Sequence, residues 1–178
     1  MRLGRGAVAT IGAFALVAVG VLAVAMWRGV GGAPIGETKA GFETAADFTL
    51  PDFDGTSFTL REHEDGPVFL YFWASWCKPC QEEAPVIQRA WPRYADRGYT
   101  FVGINILDRE DDARAFIKRF GLTFPNVRDT DGSVYLKYGV YGVPESFLLH
   151  PGGRIETKFL GALTEEKLAE LLGRIAPN

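Results

Sequence analysis

The stretch Trp73-Ala74-Ser75-Trp76-Cys77-Lys78-Pro79-Cys80-Gln81-Glu82-Glu83-Ala84-Pro85 carries the only two cysteines of the 178-residue chain and marks a change of hydrophobic period. Before it, Val68 to Trp73 is an uncharged apolar and aromatic run entered from Gly66-Pro67, which reads as a buried strand. After it, Ala84, Ile87, Trp91 and Tyr94 or Ala95 recur at helical spacing. Cys77 therefore falls at a strand-to-helix corner and Cys80 in the first helical turn. Unpaired N–H groups and the positive end of the helix dipole point outward there and favour a thiolate over a thiol. Cys77 is thus the expected nucleophile. Two cysteines three apart in a first turn can also close a disulfide without refolding the chain, so the pair is reversible.

Two blander uses of the pair fit less well. Structural zinc needs four ligands, and the other candidates, His63 and His150, are distant and not paired at metal spacing. A permanent disulfide would close a four-residue loop, which stabilises a fold little in the chain-entropy model. No metal, flavin or nicotinamide motif is present, so the expected redox group is the Cys77–Cys80 disulfide itself, with no further cofactor and no metal.

An apolar content of 47% suffices for a core. The first 45 residues hold four of the 19 basic and two of the 22 acidic side chains, leaving the remainder at a net −5, which argues against nucleic acid as a partner. Gly6 to Trp27 is a run of 22 residues with no charge and only Thr10 polar. At about 1.5 Å per residue it is long enough to span a hydrocarbon core of roughly 30 Å. Arg2 and Arg5 precede it, so the positive-inside rule places residues 1–5 in the cytoplasm and everything after Arg28 outside. The rival is a cleaved signal, since Ala23-Val24-Ala25 fits a cleavage site, but the run is long for a signal and continues through Trp27. An uncleaved transmembrane anchor over 6–27 is the expectation, and either way the domain is exported. Residues 28–45, glycine-rich and without apolar periodicity, read as a flexible linker to a domain over 46–178.

Within that domain, Phe48 and Leu50 and then Phe58 and Leu60 flank Asp54-Gly55, a hairpin signal. Pro85 and Pro92 are expected to bend or interrupt the helix after the cysteines, and Gly98 to supply a left-handed end. Tyr99 to Ile106 reads as a second buried strand. Asp111 or Asp112 is the expected cap of a helix ended by Gly121, followed by a short edge strand at Phe124 to Val127 and a short helix near Ser133 to Tyr138. Pro144 leads into a strand, His150-Pro151-Gly152-Gly153 turns it into another, and Thr164 caps a last helix that buries Leu168, Leu171, Leu172 and Ile175.

That order, with a CxxC motif between the first buried strand and its helix and a proline opening an antiparallel strand, resembles the thioredoxin fold over roughly residues 46 to 176. More narrowly, Phe72 to Pro85 shows the C-x-x-C-x-x-E-x-P pattern of the membrane-anchored thiol:disulfide oxidoreductases of the TlpA, ResA and CcmG (DsbE) type. Gly139-Val140-Tyr141-Gly142-Val143-Pro144-Glu145-Ser146-Phe147 is similar to the proline loop of the CcmG branch. The 64 positions between Cys80 and Pro144 leave room for the helix-strand insert that marks this family. Plain thioredoxins place a buried aspartate where this chain has Tyr71.

The resemblance implies an α/β thioredoxin-like domain with an N-terminal hairpin and a central insert. Cys77 and Cys80 are its catalytic pair, tuned by Lys78 and Pro79. Trp76, Val143, Pro144 and Glu145 line the target groove, with a cis Val143–Pro144 bond. Glu83 stands at i+3 from Cys80, on the same helix face, where the family uses a glutamate to move a proton. The alternative for Glu83 is a solvated first-turn acid, and Glu145 either lines the groove or ends the strand. The implied partners are protein disulfides, apocytochrome c among them, and a membrane thiol donor of the CcdA/DsbD type. A disulfide-forming oxidase is the nearest rival. A peroxiredoxin would need proline and Thr or Ser where Tyr71 and Ala74 stand, and a copper-delivery protein would want a C-x-x-x-C spacing.

Overall fold

The computed structural model describes residues 16–24 and 35–175. Residues 16–24 form helix α1, which belongs to a first unit that ends at Pro34. Most of the expected 6–27 anchor lies outside the described residues, and among those described no helix is long and apolar enough to cross a membrane.

In the second unit a six-stranded mixed sheet has the order β1-β8-β7-β4-β5-β6. Its strands are β1 (Gly36–Thr38), β4 (Val68–Trp73), β5 (Thr100–Ile106), β6 (Asn126–Asp129), β7 (Glu145–Leu149) and β8 (Ile155–Leu160). A separate hairpin pairs β2 (Thr49–Pro51) with β3 (Ser57–Thr59). The central strand β4 runs parallel to β5 and antiparallel to β7, and all six of its residues are buried. It has no polar face because both faces are covered. Phe69, Tyr71 and Trp73 join one core with Ile87 and Leu168, whereas Val68, Leu70 and Phe72 join another with Phe58, Tyr138 and Phe147. The first core lies under α2 (Lys78–Ala95), α3 (Glu110–Phe120) and α5 (Glu165–Leu172), while α4 (Ser133–Lys137) contributes Val134 to the second.

Three sequence expectations change. The 28–45 linker does not stay free of the fold: β1 pairs antiparallel with β8 and Ala45 is buried, so the folded unit begins at Ile35. Backbone pairing to an open sheet edge needs no apolar periodicity, and Glu37 is held at 2.6 Å by both Lys167 and Arg174. Helix α3 starts two or three residues early, with Arg109 at its N-cap making no side-chain cap bond; Asp111 and Asp112 occupy the first turn, where the dipole favours acids. Helix α2 continues through Pro92, which was expected to interrupt it, as it does through Pro85. Burial of Ala84, Ile87 and Tyr94 along its sheet-facing side offsets the proline cost of roughly 3 kcal/mol each. Gly98 and Gly121 take left-handed backbones, with φ of 80° and 60°. Thr164 caps α5 by accepting the Lys167 N–H.

Candidate active site

The end of β4 delivers its chain into a loop that one carboxylate holds. Asp108, just past β5, accepts the Ser75 N–H at 2.6 Å, the Ser75 hydroxyl at 2.7 Å, the Asn105 amide at 2.9 Å and its neighbour Arg109 N–H at 2.9 Å. Gln81 Nε2 donates to the Ser75 carbonyl at 3.0 Å, fastening the same loop to α2. Trp76 stands 60% exposed with its indole N–H donating to the Leu107 carbonyl at 3.1 Å. Leu107 is the one non-glycine residue among those described with positive φ, 48°, and its side chain too is open to solvent. A bulky residue in that region is uncommon and costs backbone energy.

Cys77 is the N-cap of α2, and its Sγ accepts the Cys80 N–H at 3.1 Å. The two sulfurs form a disulfide, with Cα atoms 5.2 Å apart. Lys78 and Pro79 between them are exposed. Cys77 retains 3% exposure and Cys80 none, so neither sulfur is open to solvent and the little access there is belongs to Cys77. Its Sγ is covered by the opposite loop, with the Val143 carbonyl oxygen 3.4 Å away.

Glu83 is 1% exposed, which excludes the solvated first-turn acid for this residue. Its Oε1 accepts the Leu163 N–H at 3.0 Å, while Oε2 is buried without a partner. Burial pushes its carboxyl up to about 8, against the opposing pull of the Leu163 N–H. Tyr71 fills the place of the thioredoxin aspartate; its hydroxyl donates to the Cys80 carbonyl at 3.3 Å. Burial first, and then the nearby Glu83 charge, raise the Tyr71 phenol well above its ordinary value, so it stays neutral. At this end of α2 the protein thus places a carboxyl raised to about 8 next to a phenol that stays neutral.

The Val143–Pro144 bond is cis, with Pro144 buried and Val143 half-buried. Glu145 does not line the groove. It is 3% exposed, accepts the Tyr141 and Gly142 N–H groups at 2.9 and 3.2 Å on Oε1, and pairs through Oε2 with Lys158 at 2.8 Å. Cys77, Cys80, Val143 and Pro144 are therefore brought together, with Trp76 preceding Cys77 in the chain, Glu83 three residues after Cys80 on α2, and Glu145 turned to Lys158. Asp108, Leu107 and Lys158 escaped the sequence reading. A short polar residue directly after the β5 run was the one available signal, and it pointed only to the end of a strand.

The AhpC/TSA family model matches residues 43–158. The thiol-disulfide oxidoreductase ResA of Geobacillus thermodenitrificans is 36% identical over 75% of this chain and 77% of its own length. The solved structure of StoA from Bacillus subtilis superposes with a TM-score of 0.64 at 30% identity, covering 73% of this chain and 98% of that one. A candidate thiol:disulfide interchange protein DsbE from Chlorobium tepidum does so with a TM-score of 0.68 at 30% identity, over 76% and 99%.

Proposed function

We propose, for a chain that belongs to the AhpC/TSA family and is a thiol-disulfide oxidoreductase of the ResA/DsbE type, that it works as a membrane-tethered reductase of exported proteins. Its target is the oxidised Cys-x-x-Cys of an apocytochrome c before haem attachment. Residues 6–27 anchor it, and the domain works on the extracytoplasmic face. The Cys77 thiolate attacks one sulfur of the target disulfide, forming a mixed disulfide and releasing one target thiolate. Cys80, deprotonated toward Glu83, then attacks Cys77 Sγ, releasing the second target thiolate and closing Cys77–Cys80. Two electrons pass to the target, and a membrane thiol protein of the CcdA/DsbD type returns them. Trp76, Val143 and Pro144 hold the extended target, and Lys78 and Pro79 tune the couple.

The observation that supports this reading most is Glu83: a buried carboxyl three residues after the resolving cysteine on the same helix, raised to about 8 by burial, with one oxygen free. General acid–base groups work best when their pKa lies near the working pH. Direction is tested by the equilibrium potential of the Cys77–Cys80 couple. About 30 mV corresponds to 1.4 kcal/mol for two electrons, so a potential roughly 100 mV below a DsbA-like oxidant favours reduction by several kcal/mol. Deleting the gene is expected to leave cytochrome c without haem, and an added thiol reductant to restore it. A couple as oxidising as DsbA, with normal cytochromes in the deletion strain, promotes the oxidase instead.

A further inference from the structure

Lys158 is a lysine in the middle of β8 whose side chain is only 5% exposed. A buried ammonium is costly unless paired, and this one has an ion-pair partner and a hydrogen-bond acceptor. Nζ lies 2.8 Å from Glu145 Oε2, donates to the Gly139 carbonyl at 2.7 Å, and faces the rings of Tyr141 and Phe147 at 4.9 and 5.3 Å. Glu145 in turn accepts the Tyr141 and Gly142 N–H groups. The backbone of 139–142 thus closes around one ion pair, gripped at its first residue by the cation and at its last two by the anion. The next peptide is that of Val143, whose carbonyl oxygen covers Cys77 Sγ at 3.4 Å. Tyr141, lying over the ammonium, is 86% exposed, so its outer face is open beside the loop.

We propose that Lys158 is a positioning residue for exchange with protein targets: its pair with Glu145 sets the loop that presents the Tyr141 ring and the Val143 carbonyl beside Cys77. The inference rests on the reading of the Pro144 loop as the wall that holds an extended target. Removing one member of a buried pair leaves the other charge uncompensated, so the loop relaxes rather than collapses onto it. A polypeptide disulfide needs the wall to be in place. Glutathione disulfide needs only the sulfurs.

The test uses the reduced full-length protein in detergent, a synthetic peptide with an oxidised Cys-x-x-Cys, and glutathione disulfide as the small probe. In each reaction, followed as a single turnover, the protein dithiol is oxidised and the probe disulfide is reduced, so KM here is the half-saturating probe concentration and kcat the limiting rate of that turnover. Lys158→Met is expected to raise KM for the peptide about tenfold, with kcat and the glutathione rate within about twofold, and Lys158→Arg to recover most of the loss. Should Lys158→Met fail to fold by near-ultraviolet circular dichroism, Lys158→Gln combined with Glu145→Gln leaves no unpaired charge and is expected to raise the peptide KM several-fold. A folded variant with wild-type KM, or one slowed equally with both probes, overturns the inference. A wild-type protein that exchanges with glutathione disulfide but not with the peptide overturns the target-binding reading and this inference with it.

Discussion

Glu83 is the side chain whose environment departs furthest from what its type prefers. Its folded pKa of about 8 lies above the ordinary carboxylate value of 4.5, so the folded state binds the proton more tightly than the unfolded one. The stability of the oxidised domain should therefore fall as pH rises from about 5 to about 8, by on the order of a few kcal/mol, and level off above. Glu83→Gln should flatten that slope in urea melts across the same range, while slowing thiol-disulfide exchange roughly a hundredfold and removing its pH dependence near neutrality. An unchanged pH–rate profile in the variant would return Glu83 to a structural role. Cys77 needs no such perturbation, because the helix N-terminus acts on it directly through the Cys80 N–H. Cys80→Ser is expected to trap mixed disulfides through Cys77, seen as stable adducts under non-reducing electrophoresis. Alkylation reaching Cys80 before Cys77 in the reduced protein would reverse the two roles.

Helix α2 holds the chemistry, but the strands beside it keep it in place. β5 passes under the helix with Gly103 opposite Tyr71 of β4 and Asn126 of β6. A Cβ at Gly103 would lie 2.3 Å from Asn126 Oδ1 and 2.8 Å from Trp73 Nε1, so no side chain fits without displacing a buried polar atom. Gly103→Ala is expected to destabilise the domain by about 1–3 kcal/mol in denaturant melts. Its effect should appear in stability and leave the exchange rate of the folded fraction unchanged, since the clash falls on Asn126 Oδ1 and Trp73 Nε1 rather than on a group of the cysteine pair. The hairpin β2–β3 and the α3–β6 insert extend the sheet and its covers. Neither supplies a group to the cysteine pair.

The folded unit from Ile35 onward has two cores of its own, so the chain from Ile35 to Asn178 should fold alone. It is expected to melt cooperatively and to reduce peptide disulfides in solution at the full-length rate, yet to leave cytochromes immature in a deletion strain, because the proposed tether is gone. Restored cytochromes with the truncated chain would show the tether to be dispensable. From sequence alone the site was legible where its signals are local. An uncharged run becomes a buried strand, a cysteine before a helical pattern becomes its N-cap, and Thr164 ahead of two glutamates becomes the start of α5; each rests on a period or a cap spanning a few residues. The cis proline and the candidate role of Glu83 came from family likeness, and burial then excluded for Glu83 the solvated state that its exposed neighbour Glu82 has. Tertiary structure alone decided the rest. β1 finds its place on β8, Glu37 meets Arg174 from 137 residues away, Asp108 grips Ser75 across 33, and Glu145 turns from the groove to Lys158. Those contacts depend on which distant strands lie side by side. A charge is written identically in a sequence whether it will stand in water or be buried with a partner, because the desolvation that sets its role exists only once the chain has folded.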